Sequence, residues 1–353
     1  MQLRLSHNLE FKDLYERAGL VKLDAAFTEH LKAVNVELYN KFIAARAEIP
    51  AGKEESNLLI EVAPVLEDFI AELFNIREQV SKLQFKHNDL GNLYTAKRMF
   101  VQRGVAKYVK PAEVVTEEQA AEAAKVLGID EANFEHDYSN KVVMWMDAND
   151  ADKLLLAAKY AHWALNTEAG QHKHKAGVIF KKPKKLDFAN LVPLESEVVN
   201  GVTMQKLAHH EWRVRDGFKL TDHGGDLTYA LDQANYCIFC HNQGKDSCSK
   251  GFWEKPAEDG RKIVKKSPTQ VNLAGCPLEE KISEMNELKS GGVPVGALAV
   301  VTVDNPMCAG TGHRICNDCM KSCIYQKQEP VNIPLAETHV LKDVLELPYG
   351  FEI

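Results

Sequence analysis

All eight cysteines of this 353-residue chain fall between Cys237 and Cys323, and Met1 to Tyr236 contains none. Whatever the rest of the chain does, this stretch has to fold so that its thiols serve a common purpose. They form two groups, Cys237-Ile-Phe-Cys240 with Cys248, and Cys316-Asn-Asp-Cys319 with Cys323, while Cys276, followed by Pro277, and Cys308 stand between them. A C-x2-C turn closes a tight loop with both sulfurs on its inner side, so the pair points at one centre. Two zinc ions with four cysteines each would use the count. Iron–sulfur clusters also take four cysteines apiece, and their bacterial ligand runs end in Cys-Pro with the last cysteine serving the other cluster. Cys276-Pro277 fits that second pattern better.

The order of these features resembles the N-terminal two-cluster domain, an alpha-helical ferredoxin-like domain. It is shared by the small subunit of bacterial glutamate synthase, dihydropyrimidine dehydrogenase and related FAD- and NAD(P)H-dependent oxidoreductases. The resemblance is carried by Cys237-x2-Cys240, Cys248, Cys276-Pro277, Asn305-Pro306, Thr311-Gly312-His313-Arg314-Ile315-Cys316, Cys319, Cys323 and Pro330-Val331-Asn332-Ile333, with Glu337 seven residues after Pro330. It covers the last third of the chain. It implies a first [4Fe-4S] cluster held by Cys237, Cys240, Cys248 and Cys323. A second is implied on Cys276, Cys316, Cys319 and the carboxylate of Glu337, with Cys308 as a substitute ligand. Arg314, two residues before Cys316, would offset the charge of a ligated cluster from the second shell. No catalytic residue is assigned.

The cysteine-free part reads as helix. Phe27, Leu31, Val34, Leu38, Phe42 and Ala45 step by three and four along one face that Pro50-Ala51-Gly52 would end. A second stripe runs from about Val65 to Leu83, and a third helix is expected from Leu90 to Lys107. The capping box Thr116-Glu117-Glu118-Gln119 should open a helix that Gly128 terminates. Another should follow Asp150 and bury Leu154, Ala158, Ala161 and Leu165, with His162 as a core or boundary histidine. His136, Asp137 and Ser139 do not make a triad, since neighbours in sequence cannot aim at one reacting atom. His209-His210-Glu211 lacks the spacing of a zinc-protease helix, and Gly291, Gly292 and Gly296 do not form a dinucleotide fingerprint. The basic run Gln171 to Lys185 could steer an anionic partner or, through His172 and His174, bind a metal weakly, but reads first as a solvated linker. Lys250 to Ala274 reads as an insertion looping out between two ligands, and Gly296 to Val303 as a helix despite its strand-like composition.

The expected architecture is mainly α: a helical bundle over 1–170, a basic linker over 171–200 and a two-cluster iron–sulfur domain over 201–353. A net charge of −7 argues against nucleic-acid binding. The opening residues have no basic segment leading into an apolar core, and no run of about 18 apolar residues occurs, so the expectation is a cytoplasmic protein with no membrane span. In that compartment clustered cysteines stay reduced, which disfavours a disulfide framework. The resemblance places FAD and NAD(P)H in a flavoprotein continuation or partner subunit. This chain is then the electron-transfer part of an oxidoreductase whose terminal acceptor is unknown. The alternative is a zinc-stapled interaction module without redox activity.

Overall fold

Asn35 divides what the apolar spacing reads as a single helix. In the computed structural model, which describes residues 5–208, 212, 214–219, 224–256, 259–311 and 315–353, Asn35 is extended and its side-chain oxygen accepts from Leu38 N at 3.0 Å. It therefore ends α1 (Arg17–Val34) and caps α2 (Val36–Ala47). The next helix departs from expectation in the opposite sense. Helix α3 spans Lys53–Leu73 and runs straight through Pro64, where the sequence suggested a boundary. An interior proline costs a helix about 3 kcal/mol. Burial of Val62, Ala63, Phe69 and Leu73 on both sides of it offsets that cost. Asn75, at φ +56°, turns the chain into α4 (Arg77–Asp89).

Helix α5 (Gly91–Thr95) continues into a π-helical turn over Ala96–Val101. The capping box forms as read: Thr116 Oγ1 accepts from Gln119 N, Gln119 Oε1 accepts from Thr116 N, and α6 (Glu117–Val126) stops ahead of Gly128 at φ +62°. Then come α7 (Phe134–Asp147), α8 (Ala151–Asn166), which buries the expected stripe, and α9 (Glu168–Lys173). His162 is buried, with Nε2 2.9 Å from the Glu113 carbonyl, and is a satisfied core histidine. Ser139 donates to the Glu135 carbonyl while Asp137 pairs with Lys141, so no triad exists there. These helices share one core containing Phe100, Tyr138, Trp145 and Tyr160. Ile179 and Phe180 belong to the same core, so the segment after α9 is anchored until the lysines begin at Lys181.

Strands β1 (Leu194–Val199) and β2 (Val202–Leu207) form an antiparallel hairpin exposed along its length, with Leu194 opposite Leu207. The cysteine region follows as α10 (Leu227–Tyr236), α11 (Ser247–Lys250), α12 (Ile282–Ser290), α13 (Pro294–Asp304), α14 (Cys308–Thr311), α15 (Asp318–Lys321) and α16 (Ile333–Leu345). Among the described residues no helix is long and apolar enough to cross a membrane.

The first four helices do not keep a core to themselves. Phe27, Leu31, Phe69 and Leu73 pack in one cluster with Val295 of α13 and with Val344 and Leu347 near the end of the chain. Gly296 lets α13 approach α3 closely, since a Cβ there would stand 3.0 Å from the Ala63 carbonyl oxygen. The buried Glu67 carboxylate of α3 accepts from Val295 N at 2.7 Å, from Gly296 N at 3.0 Å and from Gln84 Nε2 at 2.6 Å. It therefore caps the N-terminus of a helix more than two hundred residues away in sequence, and the positive end of that helix favours the charge. Glu67→Ala would orphan these donors in the interior. It is expected to cost about 1–3 kcal/mol, read as a lower urea midpoint at unchanged slope.

Candidate metal centre

Most of the cysteines are delivered by short helices or the turns at their ends, and Cys276 by the loop that closes the insertion. Asp226 caps α10, whose C-terminal end presents Cys237. Phe239, left-handed at φ +53°, turns the chain so that Cys240 follows, and Phe239 N donates to Cys237 Sγ at 3.5 Å. Asp246 caps α11, which carries Cys248. The insertion after Lys250 is closed at its base by Phe252 N to the Leu273 carbonyl, 2.8 Å, and Cys276 N to the Cys248 carbonyl, 2.8 Å. Ligands far apart in sequence thus become backbone neighbours. That closure requires Gly251 and Gly275, both at positive φ; a Cβ on Gly275 would come within 2.4 Å of Gly251 N. Gly275→Ala is therefore expected to cost at least about 1–3 kcal/mol, seen as a lower melting temperature with faster proteolysis between Lys250 and Cys276.

The thiols sort into two sets whose members alternate along the chain. Cys237, Cys240, Cys248 and Cys323 lie within electrostatic range of one another. Burial pushes Cys237 up to about 12, with Cys240 and Cys323 adding to the rise, and burial raises Cys240 to about 11. A hydrogen bond between the Cys248 and Cys323 thiols drives Cys248 up and Cys323 down. The second set joins Cys276 to Cys316, and Cys319 to Cys276 and Glu337. Cys308 adjoins it, under the influence of Glu337 and Glu280. Burial, then the neighbouring Glu280 carboxylate, lifts Glu337 to about 8. Cys323 thus falls with the early cysteines although it is only four residues from Cys319, and Glu337 of α16 falls with the second set.

Burial therefore disfavours the charged forms of Cys237, Cys240 and Glu337, because charging them in an apolar pocket costs desolvation and mutual repulsion. A bound cationic centre reverses that preference and takes them as anions. Among the described residues, no three His, Cys, Asp or Glu side chains converge closely enough to hold a single metal ion. A cubane meets its ligands at four separate corners, which requires a wider spacing than one ion does.

Unpartnered polar atoms mark the same places. Ser247 Oγ and Ser249 Oγ, on either side of Cys248, Glu284 Oε2 and Glu337 Oε1 are all buried without a hydrogen-bond partner in the described structure, and the buried Asn286 amide sits against the Cys237 thiol. Buried polar atoms are normally satisfied, and a cluster of exceptions points to something they bond that protein atoms do not supply. Hydroxyl and amide donors around thiolates, and a carboxylate oxygen with nothing to accept from, suit a charged sulfide-bearing centre. Residue spacing carried no sign of Ser247, Ser249, Asn286 or Glu280, and Asn286 sits among the other polar residues Ser283, Glu284, Glu287 and Lys289 of its helix. Arg314, with Gly312 and His313, lies outside the described residues, as do His209, His210 and Glu211.

A family described as RP005 N-terminal alpha-helical domain matches residues 5–75. The Uncharacterized protein RP005 of Rickettsia prowazekii (strain Madrid E) is 32% identical over 306 residues, 82% of this chain and 99% of that one. The Uncharacterized protein RP006 of the same organism is 70% identical over 47 residues, 13% of this chain and only 7% of that one. No solved structure matches.

Proposed function

We propose that this chain, which belongs to the RP005 family, binds two [4Fe-4S] clusters and works as the electron-transfer part of a larger FAD- and NAD(P)H-dependent oxidoreductase. The observation that carries this reading is the alternation of the two ligand sets: Cys237, Cys240, Cys248 and Cys323 in one, Cys276, Cys316, Cys319 and Glu337 in the other. Two-cluster proteins exchange their last cysteines in this way. The unpartnered atoms of Ser247, Ser249 and Glu337 support it further.

When bound, such clusters accept and release single electrons at potentials set by ligand type, hydrogen bonds, burial and charge. The residues of this chain supply those controls unequally. Ser247, Ser249 and Asn286 offer uncharged donors beside the first set, while Glu337 and Glu280 bring carboxylates to the second. A carboxylate is a harder ligand than a thiolate, so the two sites should differ in potential. The flavin and nicotinamide sites belong, on this reading, to a flavoprotein continuation or partner subunit. The 70% identical stretch shared with RP006 is a small part of that chain, which extends far beyond it.

Glu337→Ala tests the assignment of the non-cysteine ligand. The variant is expected to lose or convert the second cluster alone, leaving the first set with its iron and its EPR signal. An iron count and spectrum identical to those of the parent protein would strike Glu337 from the ligands.

A further inference from the structure

A cavity of about 880 Å³ lies between the second helical core and the first cysteine set. Its cations come from two separate stretches: Arg98 and Arg103 after α5, and Lys175, Lys181, Lys182 and Lys184 from the basic run. All six are exposed, and none makes an ion pair within the described structure. Among the described residues the carboxylates on its wall are Asp232, paired with Lys97 and within electrostatic reach of Lys181, and Glu329, which accepts from Lys184 N at 3.2 Å. A chain with a net charge of −7 has thus concentrated an excess of positive charge in one concave place. The basic run, which reads as a solvated linker in sequence, is one wall of this cleft.

The other wall is aromatic. Tyr236 and Tyr325 stack with ring centroids 4.6 Å apart and planes 8° from parallel, and both line the cavity. Arg98 acts electrostatically on Tyr325, so a cation stands next to the stacked pair. The volume falls in the range of small-molecule sites, and its combination of a planar apolar wall with several anion donors selects for a ligand of the same construction. Acidic protein surfaces need charge but no flat apolar slot, and free phosphate needs no aromatic wall. We infer that this cleft binds a diphosphate-bearing nucleotide, its phosphates on Arg98, Arg103 and the lysines and its base against the tyrosine pair. This ligand is additional to the flavin and nicotinamide nucleotides assigned above to the continuation or partner, and the inference does not depend on the clusters.

The test is calorimetry on the full chain with ADP, adenosine, inorganic pyrophosphate and polyglutamate at low and high salt. ADP is expected to bind more tightly than pyrophosphate, adenosine not to bind measurably, and affinity to fall as salt rises. Arg98→Ala with Arg103→Ala should weaken ADP by about tenfold or more, because each loses a charge-assisted contact. Lys262→Ala, on the distant insertion, should leave it unchanged. Circular dichroism identical to that of the parent protein guards against misfolding, and the single variant Lys182→Ala, exposed and unpaired, gives a second reading with a smaller loss. The inference is overturned if ADP fails to bind at about 1 mM, if the double variant binds it as well as the parent does, or if polyglutamate or pyrophosphate binds more tightly than ADP.

Discussion

Cys323→Ala is expected to remove about half of the iron and sulfide of the anaerobically purified protein, and Cys319→Ala the other half, although the two residues are four apart. The reason lies in the exchange of partners. Cys323 is hydrogen-bonded to Cys248 and acts on Cys237 and Cys240, whereas Cys319 acts with Cys276 and Glu337. If centres were built from cysteines adjacent in sequence, both substitutions would abolish the same EPR signal. Under the assignment made here they abolish different ones, and the double variant abolishes both. A result in which either single variant leaves both signals intact removes that cysteine from its set.

Asp343→Asn is expected to cost about 3–5 kcal/mol of global stability, the largest effect of any substitution outside the cysteine sets. Asp343 is the centre of a buried network. Its Oδ2 accepts from Lys289 Nζ at 2.7 Å and lies 3.1 Å from His87 Nε2, and its Oδ1 lies 3.2 Å from His339 Nδ1. Burial alone would raise its pKa, but hydrogen bonds from His339 and His87, with the Lys289 ammonium, overrule that and hold the carboxyl well below the usual range. Lys289 is fully buried, and burial lowers its pKa against the pull of Asp343. Neutralising the carboxylate leaves that ammonium without a counter-charge. The three helices involved, α4, α12 and α16, come from opposite ends of the chain, so the loss is expected as one shifted cooperative transition in urea. The sign for pH follows from the depressed carboxyl: its stabilisation is present above the ordinary aspartate pKa and is lost as pH falls below it. The variant should therefore show a shallower acid destabilisation than the parent. A loss of only about a few tenths of a kcal/mol in unfolding free energy would mean that the network carries little of the fold.

The sequence displayed the local units well and their partnerships poorly. Asp150, Thr116 and Gly128 act on the backbone of their own neighbours, so their effects were readable from residue type and spacing. Asn35 misled because the apolar stripe runs on through it while its local cap starts a new helix, and Pro64 because burial around it carried a proline that intrinsic preference would not. Nothing in the spacing of α3 indicated that Glu67 would cap α13, since a carboxylate at that position looks like any exposed glutamate on a helix. The same holds for the basic run, whose meaning depends on Arg98 and the tyrosines opposite it. The cysteines were legible because thiols are few and confined to one region, while Ser247, Ser249, Asn286 and Glu280 were not, because hydroxyls, amides and carboxylates are common everywhere and only their burial singles them out.

Iron and acid-labile sulfide determination with EPR on anaerobically purified protein bears most directly on the whole account. About eight iron and eight sulfide per chain, with two reducible [4Fe-4S] signals of different potential, is the predicted result. Stoichiometric zinc, with colourless protein and no signal after dithionite, would contradict it.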